Sequence, residues 1–176
     1  MQTLVILLRA VNVGGRKLPM ADLRKLCADA GFDDVRTYVQ SGNIVLSAGS
    51  AAEAEQRIEA LIEAHFGFTS DAIARTATQW AVYAAGSPFA DADERANKVH
   101  LGLAKGRIAA DCVQKLRERA TSGEIVEQRG DALWIDFREG VGESKLLPAF
   151  INRCAGSPVT MRNWRTVLKL DTMARG

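Results

Sequence analysis

The hydrophobic and polar positions alternate between two periods along this chain, and the changes of period mark its elements. Thr3 to Val11 is apolar on both faces and rich in β-formers, which predicts a central strand. The polar, glycine-containing loop Asn12-Val13-Gly14-Gly15-Arg16-Lys17-Leu18 follows. Pro19 stands where a first helical residue belongs, Leu23, Leu26 and Cys27 recur at helical spacing, and Gly31 ends the helix. Val35 to Val39 and Ile44 to Ser47 read as two strands joined by a turn over Gln40 to Asn43. Ser50 can cap a helix whose apolar stripe is Ile58, Leu61, Ile62 and Phe66 and which stops at Gly67, and Asp71 to Ala77 reads as a weaker strand. The order β-α-β-β-α-β is the ferredoxin-like arrangement.

The second half repeats that order more loosely. A short helix from Thr78 to Ala85 and a polar connection through Asn97 lead to a strand at Val99 to Leu103 and a helix carrying Cys112, Leu116 and Ala120. Glu124 to Gln128 and Leu133 to Phe137 form a hairpin turning at Arg129-Gly130-Asp131. A helix spans Ser144 to Cys154 despite Pro148, Gly156-Ser157-Pro158 breaks it, and a short strand lies near Val159. Thr160 is then expected to cap a last helix reaching about Met173, with Met161, Trp164, Val167 and Leu168 on its apolar face and Arg162, Arg165 and Lys169 on another. The expected fold is α+β, two ferredoxin-like (βαββαβ) halves plus a C-terminal helix. The N-terminal half covers residues 1–88, and the C-terminal half with the terminal helix covers 89–176.

Composition narrows the class. A chain of 176 residues with 47% hydrophobic and 25% charged residues is ordinary globular material. No run approaches the about 20 apolar residues of a membrane span, and the N-terminus lacks the basic and small-residue features of a signal peptide, so a cytoplasmic protein without a membrane partner is expected. Cys27, Cys112 and Cys154 are widely spaced and odd in number, which fits reduced buried thiols; no metal site and no cofactor are expected. The net charge of +2 is unevenly spread. From Ser144 onward, six basic residues face the single acid Asp171, a local excess of +5 that leaves −3 on the rest of the chain.

Topology gathers the candidate chemistry. In a β-α-β-β-α-β sheet the first two strands are parallel, and the third lies between them. The loop after strand one and the turn after strand two therefore share one end of the sheet. Arg9, Asn12, Gly14, Gly15, Arg16 and Lys17 meet Tyr38, Gln40, Ser41 and Asn43 there. Glycines expose backbone N–H groups, a helix N-terminus adds partial positive charge, and the basic side chains suit a phosphate or carboxylate. The same residues also suit a tight turn with solvated Arg16 and Lys17, because Gly14-Gly15-Arg16-Lys17 matches neither common phosphate-loop motif. Ser41 lacks the context of a catalytic nucleophile.

Four stretches closely resemble the bacterial proteins classed as domain-of-unknown-function family 1697. They are Leu7-Leu8-Arg9-Ala10-Val11-Asn12-Val13-Gly14-Gly15, Pro19-Met20-Ala21-Asp22-Leu23-Arg24, Arg36-Thr37-Tyr38-Val39-Gln40-Ser41-Gly42-Asn43 and Arg162-Asn163-Trp164-x-Thr166-Val167-Leu168-Lys169. Ala10-Val11-Asn12 stands where the family pattern has Gly-Ile-Asn. The resemblance implies two ferredoxin-like halves and no assigned activity; it places emphasis on the loop, the turn and the basic C-terminal segment. The expectation is a binding module for a phosphate-bearing small molecule or a nucleic-acid backbone, with Lys145, Arg162, Asn163 and Lys169 supplementing the loop-end residues. The rival is an enzyme acting on a small phosphorylated or carboxylated substrate, with Lys145, Tyr38 or Lys169 moving a proton. The sequence names no catalytic residue and leaves the oligomeric state open. Aromatics make up only 6% of the chain and are absent from strands one and three, so base stacking on that sheet is not expected.

Overall fold

The computed structural model describes all residues, Met1–Gly176. Its elements are β1 (Gln2–Leu8), α1 (Met20–Asp29), β2 (Asp33–Tyr38), β3 (Asn43–Ala48), α2 (Ala51–Phe66), β4 (Ala72–Thr76), α3 (Ala77–Ala85), β5 (Val99–Ala104), α4 (Cys112–Arg119), β6 (Ile125–Arg129), β7 (Ala132–Asp136), α5 (Pro148–Ala155), β8 (Val159–Asn163) and α6 (Trp164–Ala174). They form two four-stranded antiparallel sheets, ordered β2-β3-β1-β4 and β6-β7-β5-β8. This is the expected α+β fold of two ferredoxin-like halves with a C-terminal helix. The compact units are Met1–Val82 with Leu170–Gly176, and Tyr83–Lys169, so the chain passes from one to the other within α3 and returns within α6. No helix is long and apolar enough to cross a membrane.

In the first unit, β1 is interior to its sheet and Leu4 to Leu8 are all fully buried, as the absence of a polar face requires. Leu4, Ile6 and Leu8 pack with Leu23, Cys27, Ile58 and Ile62 from the two helices. The strand stops at Leu8 rather than Val11, because Ala10 and Asn12 take left-handed φ values of 54° and 55° that no strand accommodates. Pro19 is extended and precedes α1 instead of opening it. Ser50 caps α2 by accepting from the Glu53 amide, and Gly67 closes that helix in the left-handed conformation.

The edge strand β4 is closed by side chains. Its outward amides at Ala72, Ala74 and Thr76 donate to Glu59 Oε1 at 2.8 Å, Glu55 Oε1 at 2.7 Å and Gln79 Oε1 at 2.9 Å. Glu55 and Glu59 are one helical turn apart on α2, so their carboxylates project along one line at the spacing of alternate strand residues. Such capping removes the unpaired donors that make an exposed strand edge adhesive.

In the second unit, Leu133, Ile135, Leu116, Ile151 and Cys154 belong to one core cluster. Helix α5 starts at Pro148 rather than Ser144, since proline at the first helical position costs no hydrogen bond. The end of the chain departs further from expectation. Thr160 does not cap the last helix; Val159 to Asn163 pair with β5, and Asn163 Oδ1 caps α6 by accepting from the Thr166 amide at 2.9 Å. Met161 is therefore a strand residue, and Leu168 is 38% exposed. Trp164, Val167, Leu170 and Ala174 form the buried stripe instead, at helical spacing from the true start. Trp164 Nε1 donates to Asp93 at 2.6 Å and its ring meets Trp134 edge to face.

The polar connection before β5 is held by Arg95, which bridges Asp91 and the fully buried Asp136, while Arg138 reaches Asp136 at 2.9 Å. The hydrogen bond from Arg95 holds the Asp91 carboxyl down to about 2. A depressed carboxyl stabilises the fold above the ordinary Asp range, about 3.9, and that contribution disappears as pH falls toward the folded-state value. Melting temperature measured from pH 5 to pH 2 should therefore fall less steeply in Asp91→Asn than in the unmodified chain; equal slopes would remove Asp91 from the account. At the β4 edge, Glu55→Ala with Glu59→Ala should cost about 1–3 kcal/mol per amide left unsatisfied, read by urea denaturation. An unchanged midpoint would mean that water replaces both carboxylates.

Candidate functional site

The loop end of the first sheet is built from positions where the backbone has few options. Gly42 has φ +79°, and a Cβ there would lie 2.7 Å from Leu8 Cβ and 2.7 Å from Val11 Cγ2. Only glycine lets the hairpin turn close on the end of β1, where the Leu8 amide donates to Gly42 O at 2.8 Å. Val39 beside it is a β-branched residue at φ 50°, a conformation costly for that shape. Left-handed residues thus concentrate here, at Ala10, Asn12, Gly14, Gly15, Val39 and Gly42.

Asn12 joins the loop to the turn. Its amide Nδ2 donates to Gln40 O at 2.5 Å and to Leu18 O at 3.0 Å, and its Oδ1 accepts from the Leu18 amide at 2.8 Å. The Asn12 amide N–H donates to Arg16 O at 2.7 Å and that of Arg16 to Val13 O at 3.1 Å, which fold residues 12–18 into a closed loop. Asn43 is fully buried and donates to Tyr38 O and Ser41 Oγ, both at 3.0 Å. Asn12 and Asn43 are therefore framework. Gly14, Gly15, Arg16 and Lys17 are exposed beside them, as are Gln40 and Ser41, while Tyr38 is half-buried. A Cβ at Gly14 or Gly15 would meet no atom within 4 Å, so both face open space. Helix α1 opens with no side-chain cap.

Arg9 faces a carboxylate. Its Nε pairs with Asp71 at 2.7 Å, its amide donates to Asp71 O at 3.0 Å, and Ser70 Oγ donates to its carbonyl at 2.8 Å. The arginine that follows the apolar strand is thus held in a structural ion pair with Asp71. Arg9 and Arg16 also line a cavity of about 200 Å³ with Glu59, Glu63, Thr69, Ser70 and Asp71. Three carboxylates against two guanidinium groups make that cavity a poor anion site, and Arg16 also lies 6.0 Å from the Phe68 ring centroid.

Arg162 lies on β8, 8% exposed, instead of on a solvent-facing helix; burial pushes its guanidinium down to about 10, and it donates to Thr160 Oγ1 and Met161 O at 2.8 Å. Asn163 caps α6, and Lys169 and Lys145 are exposed. Beside Lys145, Glu124 is buried, which alone would raise its carboxyl, but the Ser144 hydroxyl and Ser122 amide hold it below the usual range. Sequence reasoning missed a corresponding feature of the second sheet. The loop after β5, Gly106 to Ala110, and the β6–β7 turn at Gln128, Gly130 and Asp131 line a cavity of about 560 Å³ at the end equivalent to the first unit's loop end. The signal was the repeated topology. No group of three His, Cys, Asp or Glu side chains could hold a metal ion.

Two ferredoxin-like sheets, the first with a glycine-rich loop tied by an asparagine to a strained hairpin turn, define the class of protein. The chain belongs to the family described as Protein of unknown function (DUF1697), which matches residues 1–134. The resemblance around Arg162 to Lys169 lies beyond that stretch. No curated protein matches the chain. Among solved structures it is similar to the conserved bacterial protein SP0830 from Streptococcus pneumoniae, with TM-score 0.76 and 22% identity over 100% of this chain and 99% of that one. That likeness is one of fold.

Gly42→Ala should cost about 2–4 kcal/mol, combining left-handed strain with overpacking against Leu8 and Val11. Gly14→Ala, with the strain alone, should cost about 1–2 kcal/mol. Urea denaturation of both variants separates the two terms, and equal losses would show that the Leu8 contact does not hold the turn.

Proposed function

We propose that this chain is a binding module for a phosphate-bearing ligand, a nucleotide or a nucleic-acid backbone, in the cytoplasm of a bacterial cell. The observation that carries the reading is the Asn12 amide bridge from the 12–18 loop to Gln40. It supports a preorganised loop end in which Gly14 and Gly15 offer backbone N–H groups beside the exposed side chains of Arg16 and Lys17. The open helix start after Pro19 adds partial positive charge. In this reading Asn12, Asn43 and Gly42 hold the frame, and Arg9, committed to Asp71, fixes the end of β1 without touching the ligand. The ligand-facing set is Gly14, Gly15, Arg16 and Lys17, with Gln40 and Ser41 at its rim.

A thermal-shift series with nucleotides, phosphosugars and short oligonucleotides tests it. A ligand at about 100 times its Kd stabilises by about 2.7 kcal/mol, roughly 5–10 °C in melting temperature for a chain of this length. Arg16→Ala with Lys17→Ala should abolish that rise while leaving the unliganded melting temperature within a few degrees, since surface substitutions change stability by about 0.5 kcal/mol or less. A rise that persists in the double variant, or no rise with any of these compounds, would remove the loop end as the site.

A further inference from the structure

A second basic feature lies in the Tyr83–Lys169 unit. A groove of about 450 Å³ is lined by Lys115, Glu118 and Arg119 of α4 and by Phe150, Arg153 and Cys154 of α5. Its charges are not equally engaged. Lys115 pairs with Asp111 at 2.7 Å, and Glu118 Oε1 accepts from Gln114 Nε2 at 3.0 Å. Arg119 and Arg153 have one partner in common, the Phe150 ring, whose centroid is 5.2 Å from one guanidinium carbon and 5.4 Å from the other. Two like charges around a single ring repel each other, and the ring's face attracts each only weakly where water has access.

We propose that this groove binds a phosphate group through Arg119 and Arg153. An anion held between the guanidinium groups offsets their repulsion, and each planar fork can donate two parallel hydrogen bonds. Phosphate suits the pair better than a carboxylate. A phosphomonoester presents three terminal oxygens, enough for two forks sharing one oxygen, whereas a carboxylate presents two. Glu118 on the same wall offsets part of the positive charge of the two arginines. Cys154 also lines the groove; it is 3% exposed, and burial pushes its thiol up. The groove therefore offers charge and an aromatic surface but no activated nucleophile, which makes it a site for holding a ligand. The group that supplies three terminal oxygens is a terminal phosphate, on a small molecule or on the phosphorylated end of a nucleic acid; an internal phosphodiester presents two free oxygens and a single charge.

Calorimetric titration of the full chain with pyrophosphate and, separately, with a short 5′-phosphorylated oligothymidylate tests the proposal. The chains compared are the unmodified protein, Arg119→Gln with Arg153→Gln, Arg153→Lys alone, and Arg16→Ala with Lys17→Ala. Pyrophosphate affinity should fall at least tenfold in the glutamine pair, fall less in Arg153→Lys, which keeps charge without the fork, and be retained in the Arg16/Lys17 pair. Phosphorylated oligothymidylate that competes with pyrophosphate points to the end of a nucleic acid; pyrophosphate binding without competition points to a small molecule. Affinity unchanged in the glutamine pair and in Arg153→Lys, or no binding of either probe to the unmodified chain, overturns the site. Retention in the Arg16/Lys17 pair separates this groove from the loop end, so either site can fail alone.

Discussion

The end of the first sheet depends on how closely Gly42 approaches Leu8. Because a side chain at Gly42 would overlap Leu8 and Val11, the hairpin turn can settle on the last residue of β1 only with glycine at that point. Once it has, β1 can go no further as a strand. The chain turns through left-handed Ala10 and Asn12, and the Asn12 side chain reaches both Leu18 and Gln40. The exposed glycines and basic side chains of the loop are thus presented from a scaffold whose geometry is fixed by an apolar contact beneath it. Placing polar groups on a rigid apolar base reduces the entropy lost on binding, which is the advantage of preorganisation.

Much of the architecture was legible because the strongest patterns are local. The apolar run of β1, the stripe on α2 and the turn signals at Gly31, Gly67 and Gly156 each follow from nearby residues. The end of the chain was harder to read because its signals compete. Thr160 and Asn163 are both good cap residues, and the choice between them is made by pairing of Val159 to Asn163 with β5, some sixty positions earlier in the chain. That pairing also decides that Arg162 is buried. The loop-end residues were found as a group, but their division of labour was not legible. An asparagine that holds a frame and one that meets a ligand have the same side chain, and only the partners of Asn12 and Asn43 distinguish them. Arg9 needed Asp71, which β4 brings to it from a distant part of the sequence. Arg119, Phe150 and Arg153 form no sequence motif because the β6–β7 hairpin separates them.

The two units share a strand order and differ in how they handle charge. In the first, the basic groups of the loop end sit beside acids of the α2 and β4 region, so local balance is mixed. In the second, Asp136 is buried against Arg95 and Arg138, which consumes cations in the fold itself. Arg119 of α4 and Arg153 of α5 stand outside that cluster, against the Phe150 ring. Repeated topology places a loop and a hairpin turn at the same end of each sheet, but the residues there are not equivalent: the 560 Å³ cavity of the second unit has Arg107 and Asp131 with one glycine from the loop, Gly106, and one from the turn, Gly130.

The closed edge of β4 also bears on the order in which the first sheet becomes protected. The amides of Ala72, Ala74 and Thr76 rely on acceptors from α2 and α3 rather than on another strand. Their exchange with solvent deuterium is therefore gated by the fraying and undocking of helices, while the inward amides of the same strand are gated by separation from β1. Alternate residues of one strand then report two different opening motions. A single five-residue strand is divided, residue by residue, between the dynamics of the helical layer and those of the sheet.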